Sequence, residues 1–171
     1  MKIRKAVLAD AKGIAKVHVD SWKTTYDNIV PVEYLNKLSY ESREQLWKNS
    51  IPNGGVYVAE TSEGEVVGFA SGGKERTGKY TGYAGELYAI YILKEYQGNG
   101  LGSLLVKPLI DELQLQNIST MLVLVLEDNS SRLFYEALGA EKIDTIEVEF
   151  SGQRVQELVY GWSDIRNIFK K

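Results

Sequence analysis

Glu86-Leu87-Tyr88-Ala89-Ile90-Tyr91-Ile92, followed four residues later by Gln97-Gly98-Asn99-Gly100-Leu101-Gly102, is the stretch on which the fold turns. The first segment is largely apolar on both of its alternating faces, which predicts a central strand covered on each side. Beyond the second, Leu101, Leu104, Leu105, Leu109 and Leu113 recur at helical spacing. Three glycines at alternate positions let the backbone approach a ligand with no Cβ in the way. The helix behind them offers unpaired amides and the positive end of its dipole, an anion site suited to phosphate or pyrophosphate. No Lys-Ser or Lys-Thr follows the last glycine as a P-loop requires, and the spacing is GxGxG rather than GxGxxG. The loop also comes late in the chain, so both nucleotide-loop readings are weak. Pro108, inside the helical pattern, is expected to bend or split that helix.

Working outward, Thr120–Leu126 reads as the next buried strand and Ser130–Leu138 as a short helix closed by Gly139. Lys142–Phe150 and Arg154–Trp162 flank Ser151-Gly152 as an antiparallel hairpin. Upstream, Lys2–Lys5 is a short first strand, and Asp10 is the N-cap of a helix carrying Ile14, Val17, His18 and Trp22. Pro31 suits the first turn of a second helix with Tyr34, Leu35 and Leu38. Tyr40–Lys48 is a third helical piece, placing Leu46 and Trp47 together. Val56–Thr61 and Val66–Lys74 form a hairpin through Ser62-Glu63-Gly64. The sum is an α/β (α+β) fold: a mixed, mostly antiparallel central sheet with helices on both faces, in one domain spanning residues 1–171.

Composition removes whole classes of chemistry. The chain has no cysteine, so disulfides, thiolate zinc sites and cysteine nucleophiles are excluded. Its single histidine, His18, argues against a histidine metal centre and reads as a packed or rim residue rather than a catalyst. Glu127-Asp128 reads as a polar strand end rather than a metal pair, and no metal is expected. Twenty Lys+Arg against 23 Asp+Glu give a net charge of −3, too balanced to draw the chain onto nucleic acid or a membrane. Eleven tyrosines and three tryptophans without a basic stripe are a poor nucleic-acid signal, and the Lys170-Lys171 tail is too short to supply one. The first residues build no signal-peptide core, and the longest aliphatic run, Met121–Leu126, is far short of the ~20 residues of a membrane span. A cytoplasmic location is expected.

Gln97-x-x-Gly100-x-Gly102 resembles the acetyl-CoA pyrophosphate signature, [QR]-x-x-G-x-[GA], of the GNAT superfamily of N-acetyltransferases. The preceding strand, the following helix and the block Asn129-x-x-x-x-Phe134-Tyr135-x-x-x-Gly139 strengthen the resemblance, which with the element order covers most of the chain. It implies acetyl-CoA as co-substrate and a primary amine, of a small molecule or a protein, as acceptor. By resemblance, the strand end at Ile92 and Leu93 pairs with the pantetheine arm, and the amides of Gln97, Gly98, Asn99, Gly100, Leu101 and Gly102 hold the pyrophosphate. Asn129 contacts the cofactor side of the cleft, and Tyr135 lies near the departing sulfur. Lys94 stands where many relatives have proline. Homodimers are common among relatives.

Moving an acetyl group onto an amine poses three problems. Only roughly one alkylamine in 10³ is neutral at pH 7, so a base is needed. Two-residue alternation puts Glu86 and Tyr88 on the face of Ile90 and Ile92, making Glu86 the candidate base, with a solvated edge carboxylate as the plain alternative. Charge on the thioester oxygen calls for a donor, such as an amide near Ile92, worth about 3–4 kcal/mol. The leaving thiolate needs a proton. Tyr135 points away from the apolar stripe of Leu133, Phe134, Ala137 and Leu138, which fits a hydroxyl in a neighbouring cleft as well as a partly exposed tyrosine. With no cysteine and no GxSxG elbow, direct attack in a ternary complex is the simplest route. Trp22, Tyr26 and Tyr88 are the acceptor-side candidates. The Gly72–Gly85 stretch is either a lid or a surface loop. A non-catalytic acyl-CoA sensor is the competing function, and Tyr135 with Glu86 discriminates the two.

Overall fold

The computed structural model describes residues 1–170. The seven strands are β1 (Lys2–Lys5), β2 (Val56–Glu60), β3 (Val66–Lys74), β4 (Gly85–Ile92), β5 (Met121–Leu126), β6 (Glu141–Phe150) and β7 (Gln153–Trp162). They form one sheet in the order β1-β2-β3-β4-β5-β7-β6. Every neighbouring pair is antiparallel except β4 and β5. The mixed, mostly antiparallel sheet expected from the sequence is the one adopted.

Helices α1 (Ala11–Thr25), α2 (Val32–Asn36) and α3 (Tyr40–Ser50) precede β2, α4 (Leu101–Leu115) joins β4 to β5, and α5 (Arg132–Ala137) joins β5 to β6. Adjacent positions of β3 show that the layers lie on opposite faces. A Cβ on Gly68 would meet Leu105 of α4, whereas Phe69 packs its ring on His18 of α1 and Trp47 of α3. Alternation along a strand sends consecutive side chains to opposite faces, and here each face has its own helix.

Several local expectations are corrected. Pro108 neither splits nor ends α4, which is continuous from Leu101 to Leu115. The carbonyl that loses its partner belongs to Leu104, a residue on the exposed side of the helix. Leu104 is therefore outside the core stripe, and Val106 and Ile110 complete it. Leu46 is likewise exposed while Trp47 is buried, so the two do not share a buried face. Pro31 caps α2 from outside, and that helix ends before Leu38. Asp10 does not cap α1 through its side chain. Its carboxylate accepts from the Val7 amide and from Arg4 of β1, bracing the chain where strand turns into helix.

Candidate active site

The parallel pairing of β4 with β5 covers only Gly85–Leu87 against Met121–Val123. Beyond these three pairs the strands splay, and β4 runs on from Tyr88 to Ile92 with no strand on that side. The Leu93 amide donates to the Val67 carbonyl on β3. By the alternation of an antiparallel ladder, Ile92 and Ile90 therefore turn their N–H and C=O groups into the split. The result is a cleft of about 570 Å³ lined by Ile90, Tyr91, Ile92, Asn129, Phe134 and Tyr135, with the Gln97–Ser103 turn at its mouth.

The turn is shaped by its own residues. Gln97 Nε2 donates to the Ile92 carbonyl at 2.9 Å, fastening the turn to the end of β4. The Gln97 amide is already bonded to the Lys94 carbonyl. Gly98 and Gly100 have φ of 76° and 79°, the left-handed region that side chains with a Cβ rarely enter, and open space surrounds both Cβ positions. The amides of Gly98, Asn99 and Gly100 have no hydrogen-bond acceptor among the described residues. Together with the first-turn amides of α4 they form a concave row of donors, the arrangement a diphosphate requires. Gly102 serves a different purpose: a Cβ there would come within 3.0 Å of the Phe134 ring, so its hydrogen lets α4 and α5 close on each other. These features fit acetyl-CoA, with two corrections to the expected contacts. Leu93 is buried with its amide paired to β3, and Gln97 contributes an anchoring side chain rather than a free amide.

On α5 only half of the expected apolar stripe is kept: Phe134 and Leu138 pack against the core, whereas Leu133 and Ala137 face solvent. Leu133 is 55% exposed while Tyr135 is 5% exposed and packs edge-on against Trp162. Burial, with Tyr26 nearby, raises the Tyr135 phenol well above its ordinary value. Asn129 Oδ1 accepts from the Ser131 amide at 2.9 Å, and Asn129 Nδ2 donates to the Tyr26 hydroxyl at 3.3 Å. That hydroxyl also lies 3.3 Å from the Tyr91 hydroxyl, so polar groups run from the cleft wall to the far face of the sheet. There Trp22 stacks beside Tyr26 with Tyr34 and Phe150, and its buried Nε1 has no partner. His18 stacks on Tyr91 and accepts from Trp47 Nε1 at 3.1 Å. Burial pushes its pKa down to about 4, so it is a neutral, packed histidine.

Glu86 is corrected most sharply. Ser71 pairs with Ala89 and Gly72 with Leu87, leaving Tyr88 as an extra residue, a bulge in β4. The bulge breaks the alternation, so Glu86 falls on the face opposite Ile90 and Ile92 and does not line the cleft. It is 3% exposed, and both its oxygens are held by Arg76, through the guanidinium and the backbone amide. Tyr88 sits beneath the Arg76 guanidinium, 4.0 Å from ring centroid to Cζ, and its hydroxyl donates to the Lys74 carbonyl. The connection from Glu75 to Ala84 is pinned by Tyr80 to Asp144, by Ala84 to Thr120 and by Tyr83 packed against Gly161, an anchored loop rather than a lid.

One residue escaped the sequence reading. Glu157 of β7 lies opposite Leu126 of β5, on the face shared by Val155 and Val159. An acid within an apolar two-residue alternation was the signal. Burial and the Glu86 charge raise its carboxyl above the usual range.

Sheet and cleft together define a protein built to hold a long, phosphate-bearing ligand along an open strand edge. A sequence profile of the Acetyltransferase (GNAT) family matches residues 19–140. The uncharacterized N-acetyltransferase YuaI of Bacillus subtilis is 45% identical over 95% of this chain and 93% of its own. L-methionine sulfoximine/L-methionine sulfone acetyltransferase of Pseudomonas aeruginosa is 29% identical over 81% of this chain and 79% of its own. The crystal structure of a ribosomal-protein-alanine N-acetyltransferase from Brucella melitensis superposes with a TM-score of 0.73 at 24% identity, covering 95% of this chain and 99% of the other. The chain belongs to the GNAT family and is an acetyl-CoA-dependent N-acetyltransferase.

Proposed function

We propose that the enzyme moves the acetyl group directly from acetyl-CoA to a primary α-amine in the cytoplasm, both reactants being bound at once. The observation that carries this is the unpaired length of β4 beside a turn of free amides. A pantetheine arm completes the missing hydrogen bonds at Ile90 and at the Ile92 amide, while the amides from Gly98 to Ser103 receive the diphosphate. Bound there, acetyl-CoA supplies an activated thioester. A β4 amide turned into the split donates to the oxygen on which charge builds, a contribution of about 3–4 kcal/mol. Tyr135 holds its proton more tightly than a thiol of pKa about 8.5, so it stays a phenol and donates a hydrogen bond to the departing sulfur. Trp22 and Tyr26 wall the acceptor side. Glu86 fixes Arg76 and the loop above Tyr88, a positioning task rather than proton removal.

An amino-acid derivative and a protein N-terminal alanine, the acceptors named for two similar proteins, are both α-amines. L-methionine sulfone and a peptide beginning with alanine are therefore the first acceptors to assay, by thiol release. Acetyl-CoA at 100-fold over its Kd should stabilise the protein by about 2.7 kcal/mol, read as a rise in Tm. No rise at millimolar ligand refutes the cofactor assignment.

A further inference from the structure

Ten carboxylates are at least partly buried among the described residues: Asp10, Asp20, Glu44, Glu60, Glu75, Glu86, Glu112, Asp144, Glu157 and Asp164. Nine have a hydrogen-bond or ion-pair partner within the protein. Glu157 alone has none. Partly desolvating a carboxylate without a partner is costly, and Glu157, which keeps some exposure, stays open to a cation from outside.

Its surroundings say which cation. Across β5 it faces Leu126, which packs in the same cluster as Tyr26 and Val30. Its charge is felt by the Tyr26 phenol, and that hydroxyl is bonded to Asn129 and Tyr91 of the cleft. Glu157 thus lies across from the cluster that holds Tyr26, behind the residues that line the cleft itself. The ionisable groups facing it are Glu86 of β4 with its partner Arg76, Tyr26 after α1, and Tyr80 with its partner Asp144 of β6. Glu86 is already paired with Arg76, so Glu157 is the carboxylate left without a partner here.

We infer that Glu157 receives the ammonium group of the acceptor and takes its proton, the base of the reaction. The assignment rests on the acetyl-transfer reading above. One ammonium proton passes to the Glu157 carboxylate, directly or through the Tyr26 hydroxyl, leaving a neutral amine. The N–C bond forms as the C–S bond breaks, and the second proton lost by nitrogen ends on sulfur. Amide and thiol depart, and Glu157 returns its proton to solvent, so charge and atoms balance.

Two readouts on Glu157→Gln test this. The first needs no acceptor. Because the folded state raises this carboxyl, the folded protein binds its proton more tightly than the unfolded chain, and stability falls as pH rises through that window. Removing the charge should raise Tm at pH 8 by on the order of 2 °C and leave it unchanged at pH 4. A lower Tm at pH 8 would mean that the carboxylate serves the fold, and would overturn the proposal. The second uses L-methionine sulfone and the alanine peptide. The α-amine of the alanine peptide, with a pKa of about 8, is roughly 1% neutral at pH 6, so kcat/KM for the peptide should fall about 100-fold there and recover to within a few-fold at pH 9. KM for the amine should rise, and Glu157→Asp should restore part of the activity. A deficit that is constant with pH, or none, overturns it. The acetyl-CoA thermal shift should persist in the variant. Its absence from the unaltered enzyme would instead refute the cofactor reading.

Discussion

Tyr135 carries the sharpest residue-scale consequence, because a fully packed phenol with a raised pKa offers a hydrogen bond more readily than a proton. Tyr135→Phe removes that donor while keeping the ring packed on Trp162. Turnover should fall about 10²-fold, within the range for a lost donor to developing charge, with acetyl-CoA affinity nearly unchanged. Steady-state kinetics beside a binding isotherm check it; a parallel loss of affinity would move Tyr135 to the binding surface. Its burial was not legible in the sequence. A six-residue helix gives too short a pattern, and the residues Leu133 and Ala137, apolar by type, face water because α5 meets the body through Tyr135 and Phe134.

At the scale of elements, the turn between β4 and α4 was the most legible part of the chain. Its signal is local: glycines at left-handed positions followed at once by a helix that needs a start. Gly98 and Gly100 are there for the backbone and Gly102 for the approach of Phe134, a division of labour that spacing alone cannot reveal. Gly100→Ala puts a Cβ at φ 79°, at a cost of about 1–2 kcal/mol, and should lower Tm while weakening acetyl-CoA. Gly100→Glu adds a carboxylate to the anion site and should abolish the ligand-induced shift altogether. Equal binding by both variants would show that the diphosphate lies elsewhere. The bulge at Tyr88 was the opposite case. It depends on how β3 and β4 register against each other, a long-range property, so counting by twos from Ile92 assigned Glu86 to the wrong face.

Across the whole molecule, the order of strands and helices followed from periodicity, turns and caps, whereas the partners of buried charges did not. Glu157 looked like one more acid on a hairpin until the sheet set it opposite Leu126, whose cluster includes Tyr26, and left it without a partner. The split between β4 and β5 is likewise a property of the assembled sheet. Amides at Ile90 and Ile92 have no strand opposite them, so their hydrogen exchange should be fast in the free protein and slow by about 10-fold or more with acetyl-CoA bound. Exchange unchanged by ligand would mean that the arm does not lie along β4.

Within the sheet, only three residue pairs join the ladder of the first four strands to that of the last three. In the proposed mode, a coenzyme laid in the opening would act as a suture, lending its own amides to a seam the polypeptide leaves unsewn. Proteolysis of the free protein would then begin at this tear, and bound coenzyme would slow it.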